Sequence, residues 1–179
     1  MVQSNQDMEA SITVAYRYRI FMKESVLDVL IYLFDHYVEE ELEMAPDQED
    51  LKTQLTEAGF TDSQVNKAID WLECLAMQKD ELNDKTKLTL SIRLFNDIEN
   101  EKLDVKCKGF LLFLEQSGVI DADDRELVID RVMALETDFI ELEQLKWVVL
   151  MVLFNRPGKE AAFTWMEDIL MDDISAVIH

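Results

Sequence analysis

The sequence predicts a mainly α protein, a multi-helix bundle carrying a short two-stranded β element. Three observations carry that prediction. Only four glycines and two prolines punctuate 179 residues, too few turn residues for a strand-rich fold. Apolar residues recur at three- and four-residue steps through most of the chain. Two short stretches, LTLSIRLF and DFIEL, alternate with period two instead.

The elements follow in order. Residues 1–21 read as an N-terminal extension, either disordered or an upstream start, with weak alternation from Ile12 to Ile20. A first helix is expected over about 24–42, because Val26, Val29, Leu30, Leu33, Phe34 and Tyr37 share one stripe. Its end carries Glu39, Glu40, Glu41 and Glu43, which oppose the helix dipole. Asp47 then caps a helix over about 48–58 that stops at Gly59. In GFTDSQV, Thr61 and Gln64 have capping-box spacing, and Phe60 can staple onto Val65. The third helix, about 62–78, buries Val65, Ala68, Ile69, Leu72 and Leu75, with Trp71 beside them.

Residues 22–78 thus form a three-helix unit, and the polar stretch over 79–87 reads as a linker. Residues 88–179 form a helical core with the β-ribbon, whose strands at 88–95 and 139–142 should pair to satisfy their backbones. Between them Asn96 caps one long helix to about Gln116. Gly109 inside it costs about 1 kcal/mol against Ala, which favours close packing of another helix. Asp121 caps a helix to about Leu135. The run Trp147 to Phe154 is apolar at every position but too short for a bilayer, which needs about 20 apolar residues, so it belongs at the centre of a bundle. Pro157 and Gly158 end it, and a final helix is expected over about 159–171.

Composition narrows the function. Asp and Glu number 38 against 17 Lys and Arg, for a formal net charge of −21. Such a surface repels a phosphate backbone, so direct nucleic-acid binding is disfavoured. Hydrophobic residues at 49% exclude an acidic disordered chain. Cys74 and Cys107 share no CxxC spacing and read as reduced thiols of a cytoplasmic protein. With His36 and His179 the only histidines, no metal site or other cofactor is expected. The common phosphate-loop, dinucleotide, hydrolase and zinc-protease motifs are absent, so no enzyme activity is expected. Cys107 lies between Lys106 and Lys108, which would lower its pKa, yet packing within a helix is the favoured role.

Several stretches in order, LDVLIYLFDHY, LTEAGF, AIDWLECLA, CKGFLLFLEQSGVI, ELVIDRVMALE and LKWVVLMVLFNRPG, resemble the bacterial Smg family, a domain of unknown function. The resemblance covers about residues 22–179. It implies no catalytic residues, and the family's gene neighbourhoods imply only a link to DNA processing. The segment around Gly59 and Phe60 is also similar to ubiquitin-associated and RecX-type helical modules, in the first of which such a loop touches a partner.

Two function classes remain. The first is a non-enzymatic acidic helical adaptor that binds a protein partner, a basic one, through Glu39, Glu40, Glu41 and Glu43. Residues 22–59 hold eleven acids against two lysines, a local net charge of −9 suited to steering such a partner. The alternative is a winged-helix-like nucleic-acid reader using a basic patch of Arg93, Lys102 and Lys106, the last two expected on one helix face. Neither class involves a membrane.

Overall fold

Helix α7 (Leu142–Phe154) is the axis on which four other helices are laid. Trp147 to Leu153 are all buried, and Phe154 alone of the eight-residue run emerges into solvent. A helix apolar on every face needs neighbours on every side. It has them in α8 (Glu160–Val177), α6 (Ala122–Met133), α1 (Val26–Glu39) and α5 (Val105–Gln116). The structure, a computed structural model, describes residues 25–39, 48–81 and 93–177. Residues 1–24, Asp47, residues 82–92 and His179 lie outside the described residues.

Eight helices are present among the described residues: α1 (Val26–Glu39), α2 (Gln48–Glu57), α3 (Asp62–Glu81), α4 (Asp97–Lys102), α5 (Val105–Gln116), α6 (Ala122–Met133), α7 and α8 (Glu160–Val177). Local chemistry fixes their starts. Before α1, Ser25 N donates to Asp28 Oδ2 (3.0 Å) and Asp28 N donates back to Ser25 Oγ (3.2 Å). Before α3, Thr61 N donates to Gln64 Oε1 (3.0 Å) while Gln64 N donates to Thr61 Oγ1 (3.4 Å). Phe60 and Val65 are both buried beside that cap, as a hydrophobic staple requires. Asn96 with Glu99, and Asp121 with Asp124, complete two more capping boxes.

Ends are equally local. Gly59 takes φ 98° after α2; its N–H donates to Thr56 O (2.9 Å) and that of Phe60 to Leu55 O (3.1 Å). This is a Schellman close, with Leu55 and Phe60 both buried at the positions where the motif pairs apolar residues. Gly158 behaves otherwise. It is the third residue of the turn Arg156-Pro157-Gly158-Lys159, with φ 80° after a proline, and Lys159 N donates to Arg156 O (3.3 Å). A type II turn places these two residue types in that order.

Three sequence expectations fail. First, no strand is present among the described residues, so the two-stranded element is withdrawn from the fold class. Leu103 and Ile140 form one isolated parallel bridge, in which Ile140 N donates to Lys102 O (3.1 Å). The β-like DFIEL cannot extend, because Glu141 is already the N-cap of α7. Of the other expected strand, residues 88–92 lie outside the described residues, and Arg93 to Phe95 are irregular.

Second, the helix begun at Asn96 does not run to Gln116. It stops at Lys102; Leu103 is extended at φ −103°, ψ 112°, and Asp104 starts a new helix by accepting from Cys107 N (2.7 Å). The bridge to Ile140 pulls Leu103 out of helical geometry, and an aspartate stands one residue later to cap the restart. Lys102 and Lys106 therefore do not share a helix face. Third, Gly109 admits no neighbour: a Cβ there would meet nothing within 4 Å. Helix α5 packs on α6 and α7 through Cys107, Leu111 and Leu114, a different face.

One buried cluster runs from Leu27 to Leu170. Trp71 on α3 reaches α6 by donating its indole N–H to Arg131 O (2.9 Å), and Arg131 Nη1 returns a bond to Trp71 O (3.4 Å).

Candidate interaction surface

The residues singled out by sequence do not assemble into one site. Glu39 is the last residue of α1, and Glu40, Glu41 and Glu43 lie outside the described residues. Arg93 is neutralised internally, with its guanidinium gripping both oxygens of Glu99 (2.6 and 2.7 Å) and both of Glu126 (3.1 and 3.0 Å). The grip holds Glu99 below the usual carboxylate range. Lys102 is buried, and its ammonium caps the end of α6 on the carbonyls of Leu135 and Met133. Burial lowers its pKa. Lys106 alone of the three stands exposed, in the first turn of α5. The three cations thus form no common patch.

Cys107 is fully buried, and its thiol donates to Ile140 O (3.5 Å). Burial, reinforced by the carboxylate of Asp104, pushes its pKa up to about 12. The flanking lysines do not reverse this, since helix neighbours point about 100° apart. That is the wrong direction for a nucleophile. His36 is exposed; its Nδ1 donates to Tyr32 O (3.0 Å) and its ring stacks on Tyr32 at 4.1 Å. Phe60 is buried edge-on against Tyr32, so the Gly59–Phe60 loop presents no aromatic to a partner. Among the described residues no three His, Cys, Asp or Glu side chains are grouped to hold a metal.

Several other described cations meet carboxylates of the same chain instead. Asp124 is completely buried and accepts from Arg156 Nε (2.7 Å) and Lys159 Nζ (2.6 Å). The type II turn explains this clamp: it brings residues 156 and 159 to the same side. Arg125 binds Glu126 (2.8 Å) and Glu115, Arg131 binds Asp130 (2.6 Å), and Lys67 pairs with Glu136. Every described arginine is thereby tied to a carboxylate. The acid surplus is left to face solvent.

Against that acidic background one helix face is apolar. On α5, Val105, Gly109, Leu112, Phe113 and Gln116 are all exposed and fall within an arc of about 100° at 3.6 residues per turn. Val105 is 82% and Phe113 50% exposed, values far above those of core residues. The face continues onto α8, where Trp165 lies 6.3 Å from Phe113 between ring centroids. Asp168 stands exposed three residues along from Trp165, a neighbour on the same helix face. Sequence reasoning missed this surface. GFLLFLE is apolar at almost every position, so its pattern cannot say which side points outward.

The chain matches, over residues 26–179, the family described as a protein of unknown function, DUF494. Curated relatives named Protein Smg homolog include one from Nitrosococcus oceani, 55% identical over 159 residues, covering 88% of this chain and all of that protein. Those of Thioalkalivibrio sulfidiphilus and Stenotrophomonas maltophilia are 51% and 50% identical over 158 residues, with the same coverage. No solved structure matches. No helix among the described residues is long and apolar enough to cross a membrane. With the family match spanning all eight described helices, the chain belongs to the Smg family.

Proposed function

We propose that this protein is a non-enzymatic helical adaptor that binds a protein partner through the exposed apolar face of α5 and α8. The observation that carries the reading is the continuity of Val105, Leu112, Phe113 and Trp165, exposed across two helices among the described residues. Soluble chains seldom leave such a patch uncovered unless it is used. Aromatic anchors ringed by polar groups are also the usual make-up of an interface centre. The nucleic-acid alternative gains no support from Arg93 and Lys102, because both are consumed inside the fold.

The test is a comparison of captured partners. Leu112→Ser with Phe113→Ser should lower the melting temperature only modestly, since the two residues are 37% and 50% exposed, and should abolish partner capture from native lysate. Undiminished capture by the double variant refutes the surface. Filter binding should find no duplex or single-strand affinity at low salt; a clear signal there would favour the nucleic-acid reading instead.

A further inference from the structure

We infer that the element received by the α5 face is an amphipathic helix with a basic flank, crossing α5 over Gly109. This rests on the adaptor reading and adds the shape and charge of what binds.

Gly109 supplies the shape. It sits mid-helix, where glycine is unfavourable relative to alanine, and no internal neighbour requires its lack of a side chain. Val105 lies four residues before it, Leu112 three after and Phe113 four after, so all three stand around it on one face. The surface is a saddle, low at the glycine and walled by large apolar side chains. A second helix seats in such a saddle because backbone approaches backbone where no Cβ intervenes, while its own side chains fill the spaces between the walls. An extended strand would need unpaired backbone groups to bond, and α5 offers none mid-helix. The face runs the 12 residues of α5, roughly 18 Å at 1.5 Å per residue, the length of a three-turn contact.

Charge selects a basic helix over a second copy of this chain. Two copies would each bring a formal −21 to the contact. Around the face stand exposed Glu101 and Asp104 at one end and Asp168 at the other, with Lys106 the opposing exposed cation on α5. The exposed indole of Trp165 offers an incoming cation a π-face.

The probe is a labelled synthetic Leu/Lys amphipathic peptide of about 18 residues, five turns of helix, with alanine at the centre of its apolar face. Controls are a Leu/Glu peptide of the same pattern and a Leu/Lys peptide interrupted by two prolines. Fluorescence anisotropy should show saturable binding of the helical basic peptide and none of the acidic one. The proline-interrupted peptide should bind about tenfold more weakly or worse. Gly109→Gln, which fills the saddle with a helix-favouring side chain, should weaken binding by a similar factor.

If Leu112→Ser with Phe113→Ser abolishes binding but Gly109→Gln does not, the surface stands and the crossing at Gly109 falls. If neither affects the peptide, the surface reading falls as well. Equal binding of helical and proline-interrupted peptides overturns the helical element. Sedimentation that finds a dimer dissolved by Gly109→Gln makes a second copy the occupant and overturns the basic helix.

Discussion

Gly109→Ala should stabilise the protein. The substitution adds one methyl on the solvent side of α5, and its Cβ would meet nothing within 4 Å, so no packing is disturbed. What remains is helix propensity: replacing glycine with alanine in a helix interior gains about 1 kcal/mol, chiefly by removing freedom from the unfolded chain. For a chain of 179 residues that corresponds to a rise of roughly 2–4 °C in melting temperature. Urea unfolding followed by far-ultraviolet circular dichroism should show a higher midpoint with an unchanged slope. Gly118→Ala is the paired control. Its surroundings are equally open, yet its φ is 77°, where a Cβ is strained, so the same methyl should destabilise by about 1 kcal/mol. The reasoning fails if Gly109→Ala lowers the midpoint. That outcome would mean a neighbouring helix already occupies the space, the packing role the sequence suggests.

Asp124→Ala should cost about 3 kcal/mol, read by thermal melting, because it leaves Arg156 without its carboxylate beside a buried cavity and Lys159 with Asp121 alone. Glu99 has a folded pKa below its ordinary 4.5, so its contribution to stability is fully present above that value and is lost as pH falls through the lower folded pKa. Glu99→Gln should therefore flatten the acid limb of stability against pH below about 4.5, and an unchanged limb would refute the assignment. An aromatic disulfide reagent at pH 8 should titrate exposed Cys74 quickly and Cys107 only on unfolding; two fast thiols would contradict the burial of α5.

What the sequence discloses is mostly what neighbours in the chain decide among themselves. Thr61 with Gln64, Asn96 and Asp121 are legible as caps because the bonds they make span three residues. Burial of Trp147 to Leu153 is legible because an all-apolar helix has no face it can leave in water. The break at Leu103 is not, because its cause is Ile140, 37 residues away. Lys102 is misread for a related reason. A lysine in an acidic helix reads as solvated, and only the fold brings the carbonyls of Met133 and Leu135 to its ammonium. Cys107 carries the same lesson in its sign: lysines adjacent in sequence suggest a low pKa, while the enclosing core and Asp104 set a high one.

The same distinction explains how so acidic a chain keeps a folded core and still has a surface to offer. Net charge of −21 is a property of the whole chain, but the described cations are not spread over it. Arg93, Arg125, Arg131 and Arg156 sit with side chains at most 14% exposed, each against carboxylates that are carried by α4, α5 and α6. Partly buried pairs of this kind hold elements in register more than they add net stability. Spending the arginines there removes them from the exterior, and around the apolar face of α5 and α8 the exposed acids Glu101, Asp104 and Asp168 outnumber Lys106. Those two leftovers have different consequences for binding. On the proposed adaptor reading the carboxylates act at long range, choosing the sign of the partner and the rate of encounter, and weaken as salt screens them over about 10 Å. On the same reading Leu112, Phe113 and Trp165 act only on contact and set how long a partner stays. Selectivity in this adaptor reading comes from requiring both at once, a basic flank and an apolar ridge narrow enough to cross a helix at Gly109.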